Sequence, residues 1–340
     1  MARARAWRWP RSATAVRSGH CRSRWNPPRR PVPETSPNFP RSTSMPSYKN
    51  PRALPAAVVL AAALAACGGG GGSGDTGTVN LGVTDAPVDS ATAVVVEFSG
   101  VEAKPQGGRA LSFDFPAPRQ IDLLALQGGD SALLLEGVVL PAGPYEWLRL
   151  KVNAGREASD SYIDLDDGSR HALFIPSGNQ SGLKLNGGFT VAADTTSNFT
   201  IDFDLRKSVH NPAGLDGDYI LRPSLRIVDD SKVGTLAGTV GAESLAAENC
   251  TPAVYVYSGA GVTPDDEGSA AAPLSSASLT LDAESGDYRY VVAYLPVGSY
   301  TVAFTCDAAD DDPATEDVLA FSAPADAVIV AGQTTTVDFP

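Results

Sequence analysis

From Thr78 onward apolar and polar residues alternate one for one, and this period of two, renewed after nearly every Gly- or Pro-rich turn, restricts the chain to half-buried β-strands. Val79, Leu81 and Val83 alternate with Asn80, Gly82 and Thr84, and Val94, Val96 and Phe98 alternate with Glu97 and Ser99. Gly100 interrupts the second run and the apolar phase moves to Val101 and Ala103, which predicts a bulge at the glycine. Further strands are expected over residues 111–115, 132–139, 145–153, 161–165, 170–175, 198–205 and 219–228, and only 121–126 reads as a helical turn. A sandwich and a barrel both close such strands. An antiparallel sandwich is the preferred reading.

Asp229-Asp230-Ser231-Lys232 makes a short polar link, and alternation restarts at Gly234-Thr235-Leu236-Ala237-Gly238-Thr239-Val240. Strands are expected there and over 253–257, 277–281, 288–293, 299–306 and 334–339, with 317–321 and 327–330 as additions. A length of 340 residues with 43% apolar content is enough for two modest cores. The expected fold is therefore all-β: two antiparallel β-sandwich domains in tandem, 78–229 and 234–340.

The segment ahead of them is of another kind. Residues 1–44 hold ten Arg and one Glu with no apolar periodicity, and read as a disordered basic arm or, preferably, as a mis-called extension upstream of the true start. Met45 opens a better export signal, 45–66, with Lys49 and Arg52 ahead of the apolar run 54–63. That run is shorter than the roughly 20 residues a membrane-spanning helix needs. Leu64-Ala65-Ala66-Cys67 then resembles the lipobox of bacterial lipoproteins, which implies lipidation of Cys67 and loss of everything before it. Residues 67–77 would be a lipidated cysteine and a Gly-rich tether. No Gly-Lys-Ser or Gly-Lys-Thr follows, so the glycines are not a phosphate loop. By likeness to enterobacterial lipoproteins, Gly68 where Asp would signal inner-membrane retention implies the outer membrane of the cell envelope, on its periplasmic or surface face.

From Cys67 onward 14 basic and 38 acidic residues give 14 − 38 = −24, a balance that repels nucleic acid. Of four cysteines, Cys21 falls in the leader and Cys67 in the lipobox. Cys250 and Cys306 remain, without a Cys-x-x-Cys or nearby His to suggest zinc. They suit one structural disulfide in an oxidising compartment, against two free buried thiols.

Five motifs in order carry a resemblance: Thr84-Asp85-Ala86-Pro87; Ile121-Asp122-Leu123-Leu124; Leu140-Pro141-Ala142-Gly143-Pro144-Tyr145; Ile175-Pro176-Ser177-Gly178 with Ser181-Gly182-Leu183-Lys184-Leu185; and Ile201-Asp202-Phe203-Asp204-Leu205-Arg206-Lys207-Ser208-Val209. Together they resemble a bacterial lipoprotein family known as domain of unknown function 4382, across the whole first domain. The resemblance implies a secreted, lipid-anchored β domain and supplies no catalytic residues. In the second domain, Gly234 to Val240 and Leu295-Pro296-Val297-Gly298-Ser299-Tyr300-Thr301-Val302 are similar to the carboxypeptidase regulatory-like, transthyretin-like sandwich, a non-catalytic accessory.

Strand alternation sends Ile201, Phe203 and Leu205 to one face and Asp202, Asp204 and Arg206 to the other. On 145–152 it turns Leu148, Leu150 and Val152 inward and Trp147, Arg149 and Lys151 outward. If these strands are neighbours, Asp202 and Asp204 pair with Arg149 and Lys151 on an exposed face. In the rival reading, Asp85, Asp202 and Asp204 converge on a hard cation such as calcium. Asp164-Leu165-Asp166-Asp167-Gly168 superficially follows a calcium loop but fits a hairpin with a two-residue Asp-Gly turn better. Asp265-Asp266-Glu267 and 307–312 sit in expected loops, and a cation clamp between them is the alternative to solvated charge, because two acidic loops repel unless neutralised.

Catalytic signatures are missing. His171 lies in an expected strand and His210 in a loop, and no Gly-x-Ser-x-Gly or His-Glu-x-x-His occurs. Trp147 is the one tryptophan after the signal, so sugar stacking would fall to Tyr255, Tyr257, Tyr288, Tyr290 and Tyr294, which core packing explains about as well. The expected function is a lipid-anchored cell-envelope protein, a non-catalytic binding or structural module held to the membrane through lipid on Cys67, with a glycan or protein partner, no nucleic acid, and no cofactor beyond an admissible calcium. The alternative is a surface hydrolase with an unrecognised carboxylate site. Cys67→Ala is expected to abolish incorporation of a labelled fatty acid in cells; labelling that persists refutes the lipobox.

Overall fold

The structure, a computed structural model, describes residues 75–86, 91–176, 182–211, 219–222, 224–246 and 250–340. The leader, the signal, Cys67 and the tether up to Gly74 lie outside the described residues, as do Pro87, Ser177-Gly178 and Ser181 of the motifs above.

The first sandwich is built from β1 (Thr76–Ala86), β2 (Ala91–Pro105), β3 (Leu111–Asp122), β4 (Ala132–Pro141), β5 (Gly143–Asn153), β6 (Tyr162–Leu165), β7 (Arg170–Phe174), β8 (Leu183–Leu185), β9 (Phe189–Val191), β10 (Thr196–Asp204), β11 (Val209–His210), β12 (Tyr219–Leu221) and β13 (Leu225–Asp229). One sheet runs β13-β10-β1-β4. The other runs β11-β12-β7-β6-β2-β5-β8, with β3 on β2 and β9 on β5. The second sandwich follows a 3-10 turn, Asp230–Lys232. It comprises β14 (Val233–Val240), β15 (Ala253–Ser258), β16 (Ser275–Ser278), β17 (Thr280–Leu281), β18 (Tyr288–Pro296), β19 (Gly298–Thr305), β20 (Ala325–Ile329) and β21 (Thr334–Thr336), in sheets β17-β18-β14-β21 and β16-β15-β19-β20. The fold is all-β, and Gly68–Pro340 forms one compact unit. Most ladders are antiparallel, but β1 pairs with β10, β12 with β7 and β14 with β21 in parallel. These partners are far apart in sequence, so no tight hairpin dictates their sense.

Period-two burial assembles both cores. Val83, Val96, Phe98, Leu150, Ile201 and Phe203 are completely buried in one cluster between the first pair of sheets. Phe98 meets Phe203 edge to face at 6.3 Å. The phase change at Gly100 is a register shift against both neighbours of β2, and a Cβ there would lie 2.6 Å from the Phe113 carbonyl oxygen. In the second sandwich Leu236, Val254, Val256, Val302 and Phe339 share a core, while Tyr255 and Tyr257, on the opposite face of β15, are buried as well. That double burial of β15 sets the site described below.

Several expected elements are redrawn. Residues 219–228 form not one strand but β12 and β13, which belong to different sheets, so the chain crosses from one sheet to the other between Leu221 and Leu225. Residues 277–281 likewise split between two sheets. Residues 317–321 are not a strand; Phe321 makes a single bridge to Thr305. β3 extends through Ile121 to Asp122, and the turn follows it at Leu124–Gly129. The Asp-Gly hairpin joins β6 to β7, but Leu165 N–H donates to Ser169 O, leaving three loop residues with Gly168 at φ +82°. This is the longer hairpin turn that ends in a left-handed glycine.

Cys250 and Cys306 are disulfide-bonded across the ends of the adjacent strands β15 and β19, 56 residues apart. Closing a loop of that length restricts the unfolded chain by about 4 kcal/mol in the chain-entropy model. Cys250→Ser is expected to lower unfolding stability by about this amount, read from denaturant melts, and reductant is expected to lower the wild type to the level of the variant and to leave the variant unchanged.

Candidate functional site

β10 lies between β1 and β13, with Ile201 and Phe203 in the core of its own sandwich. Its other face is not open to solvent. Asp202 and Asp204 are 6% and 7% exposed, and Arg206, on the short helix α1 (Leu205–Ser208), is 4% exposed. The expected pairing with Arg149 and Lys151 is corrected: β5 belongs to the opposite sheet, where Arg149 bonds Glu102 at 3.0 Å and Lys151 bonds Asp114 at 2.7 Å. Asp202 instead receives Arg226 Nε, its partner across the β10–β13 ladder, at 2.5 Å. Asp204 caps α1 by accepting from Lys207 N–H at 3.2 Å.

What covers this face is the second sandwich. Arg206 Nη1 donates to Ala308 O at 3.1 Å and to the Tyr255 hydroxyl at 3.4 Å, and Nε lies 3.6 Å from Glu267 Oε1. Lys207 Nζ donates to Pro273 O and sits 3.6 Å from Asp204 and 3.9 Å from Glu267. The Tyr255 hydroxyl donates to Asp311 Oδ2, and Glu267 N–H donates to Asp311 Oδ1 at 3.1 Å. One cationic turn of the first sandwich is thus seated in an acidic, aromatic socket on the outer face of β15.

The socket holds four acids, Asp202, Asp204, Glu267 and Asp311, against three cations, Arg206, Lys207 and Arg226. Burial, the largest cause, raises all four carboxyls above their ordinary range. For Glu267 the negative charge of Asp204 adds to burial and outweighs the pull of Lys207 and Arg206, leaving it at about 8. The proton on Glu267 at neutral pH balances the surplus acid.

Beside the socket a cavity of about 200 Å³ opens between the sandwiches, lined by Thr84, Asp85, Asp202, Ser276, Arg289 and Tyr294 among others. The Tyr294 hydroxyl reaches across it to Gly129 O at 3.3 Å. Of the three carboxylates proposed from sequence as a cation set, Asp85 and Asp202 line this cavity, and Asp202 also lines a neighbouring one together with Asp204, Lys207 and Arg226. Among the described residues, the carboxylates that gather within 4.8 Å of one another are Asp266, Asp311 and Asp317. Sequence reasoning placed Asp266 and Asp311 in the two acidic loops but assigned Asp317 to a strand.

The other candidates resolve locally. Asp164 makes two bonds to Arg170 across the hairpin, at 2.6 and 2.7 Å. Ser169 Oγ bonds both Asp167 and His171, so the acid lies behind the hydroxyl and not behind the imidazole as a catalytic relay requires. Tyr255, Tyr257 and Tyr290 are at most 2% exposed and so cannot offer a sugar-stacking surface.

The family described as "Domain of unknown function (DUF4382)" matches residues 76–223, which is the first sandwich up to the crossing between β12 and β13. No curated protein matches the chain. Among solved structures, the Bacillus anthracis TIE protein is similar at 10% identity and TM-score 0.18, over 78% of this chain and 34% of its own length. GBS52, the minor pilin of Streptococcus agalactiae, is similar at 12% identity and TM-score 0.17, over 76% of this chain and 94% of its own. BcpA, the major pilin subunit of Bacillus cereus, is similar at 12% identity and TM-score 0.17, over 78% and 98%. Scores of this size carry no argument about what this chain does.

An acid whose pKa is higher folded than unfolded binds more protons when folded, so stability declines as pH rises from its unfolded value toward its folded one. For Glu267 that window runs from the ordinary glutamate range to about 8. Wild type is therefore expected to lose stability relative to Glu267→Gln as pH is raised from 5 to 8, the difference levelling off above that; thermal melts at matched ionic strength that stay parallel across the window contradict this assignment.

Proposed function

We propose that this chain is a lipid-anchored protein of the bacterial cell envelope that works without catalysis, presenting two sandwiches as one binding or structural body. The observation that carries the reading is the buried socket of Arg206 and Lys207. A hydrolase with a carboxylate site needs acids that a dissolved substrate reaches, whereas Asp204 and Glu267 are covered beside the cations of the seam, and Asp202, which lines the cavity, is held by Arg226. Across the seam, Arg206 and Lys207 hold the sandwiches in one orientation. That orientation forms the polar cavity at Asp85, Asp202 and Ser276, the place for a small polar group of a glycan or protein partner. The lipobox-like Leu64 to Cys67 and the glycine tether support an address at the membrane surface.

The purified full chain, offered chromogenic glycosides, esters and phosphoesters, is expected to give no turnover above buffer. Turnover that Asp202→Asn or Glu267→Gln abolishes overturns the reading in favour of a hydrolase.

A further inference from the structure

The loop from β15 to β16 carries Asp266, and the loop from β19 to β20 carries Asp311 and Asp317. The two loops are in backbone contact: a Cβ on Gly268 would lie 1.5 Å from the Thr315 carbonyl oxygen, so only glycine permits this approach. Asp266 is completely buried and Asp311 is 9% exposed, while Asp317 is half-buried. Each offers one carboxylate oxygen, and the three oxygens lie within 4.8 Å of one another.

Three acids this close and this dry repel strongly, and the hydrogen bonds present do not account for all of their oxygens. Asp311 accepts from Tyr255 and Glu267, and Asp317 Oδ2 accepts from Asp312 N–H and Thr315 Oγ1. Asp266 Oδ2 accepts from Gly268 N–H at 3.0 Å and from Asp317 N–H at 3.1 Å, which sets its carboxyl against the Asp317 backbone. The second oxygen of that carboxyl, Oδ1, is buried and has no hydrogen-bond partner among the described residues. A fully buried carboxylate oxygen in a group of three carboxylates lacks a positive partner among the described residues: the two cations that reach these loops are directed elsewhere, Lys207 to Asp204 and Pro273, and Arg206 to Glu267, Tyr255 and Ala308.

We propose that Asp266, Asp311 and Asp317 hold one calcium ion between these two loops of the second sandwich. The donors are all oxygen, which selects a hard cation. Calcium bonds oxygen at about 2.3–2.6 Å, so its ligand oxygens stand at most roughly 5 Å apart, a limit that this group meets. Magnesium keeps several of its waters, which this buried position does not favour. Glu267, next in sequence to Asp266, donates its N–H to Asp311 and offers its carboxyl to Arg206. An ion behind it thereby fixes the loop that receives the first sandwich.

The test uses the full chain, stripped with EDTA and then titrated with calcium chloride in a calorimeter and in thermal melts. One ion per chain and a melting temperature that rises with calcium are expected, with magnesium at least tenfold weaker. Asp266→Asn and, at the half-exposed position, Asp317→Asn are each expected to weaken calcium binding at least tenfold. The Asp317→Asn chain serves where Asp266→Asn fails to fold. No calcium uptake by the wild type, binding unchanged in a folded variant, or equal affinity for magnesium overturns the proposal.

Discussion

The guanidinium of Arg206 is taken out of water between two sandwiches, and the arrangement of the second half of the chain depends on how that charge is satisfied. Removing an arginine and its acidic neighbours from solvent costs several kcal/mol per ion, and Coulomb attraction repays this only when hydrogen bonds complete the geometry. Here two hydrogen bonds, to the Ala308 carbonyl and the Tyr255 hydroxyl, do so beside an ion-pair contact with the Glu267 carboxyl. None of these belongs to the domain that supplies the arginine. An apolar seam of equal area would bury surface at less cost, but it would not specify one rotation of one sandwich on the other. The directional bonds from Arg206 and Lys207 to main-chain carbonyls do.

That choice reaches back into the second sandwich. A strand with one face on its own core normally leaves the other to solvent, and β15 does not: Val254 and Val256 face the core while Tyr255 and Tyr257 point outward and are buried too. The outer layer is made of loops, with Leu319 and Phe321 packed on the tyrosines and Asp266, Glu267 and Asp311 beyond them. Loops seldom make a dry layer, because their backbone groups need partners. This one finds them in side chains, as Asp266 and Asp317 take up N–H groups that have no sheet to join. The acidic composition of these loops therefore serves their own backbone before it serves any ligand.

Much of the sandwich architecture was legible because period-two alternation states which side chains share a face. It placed Val79, Leu81 and Val83, the bulge at Gly100, and Leu148, Leu150 and Val152 correctly. Alternation also put Asp202 and Asp204 opposite Ile201 and Phe203, which holds. What covers that opposite face was not legible, since it depends on a contact with residues some 50 to 100 positions away, as between Arg206 and Tyr255 or Ala308. A run of alternating charges reads as exposed until a second surface of complementary charge is known. The crossing between β12 and β13 escaped for a similar reason: Tyr219 to Val228 keeps an apolar character throughout, and only the pairing partners reveal that its halves lie in different sheets.

The two acidic loops show where sequence reasoning reaches furthest. Repulsion between Asp265-Asp266-Glu267 and the acidic run after Cys306 argues that they stay apart unless something neutralises them. They do not stay apart, and part of the neutralisation comes from the seam: Arg206 arrives from the other sandwich, and burial raises the Glu267 carboxyl above its ordinary range. Both act on the side of the cluster that faces the seam. Asp266 and Asp317 lie on the other side, where backbone N–H groups satisfy Oδ2 of each and leave Asp266 Oδ1 buried without a hydrogen bond among the described residues. The seam side of the loops is thus neutralised from the first sandwich, while the group of Asp266, Asp311 and Asp317 still calls for a cation.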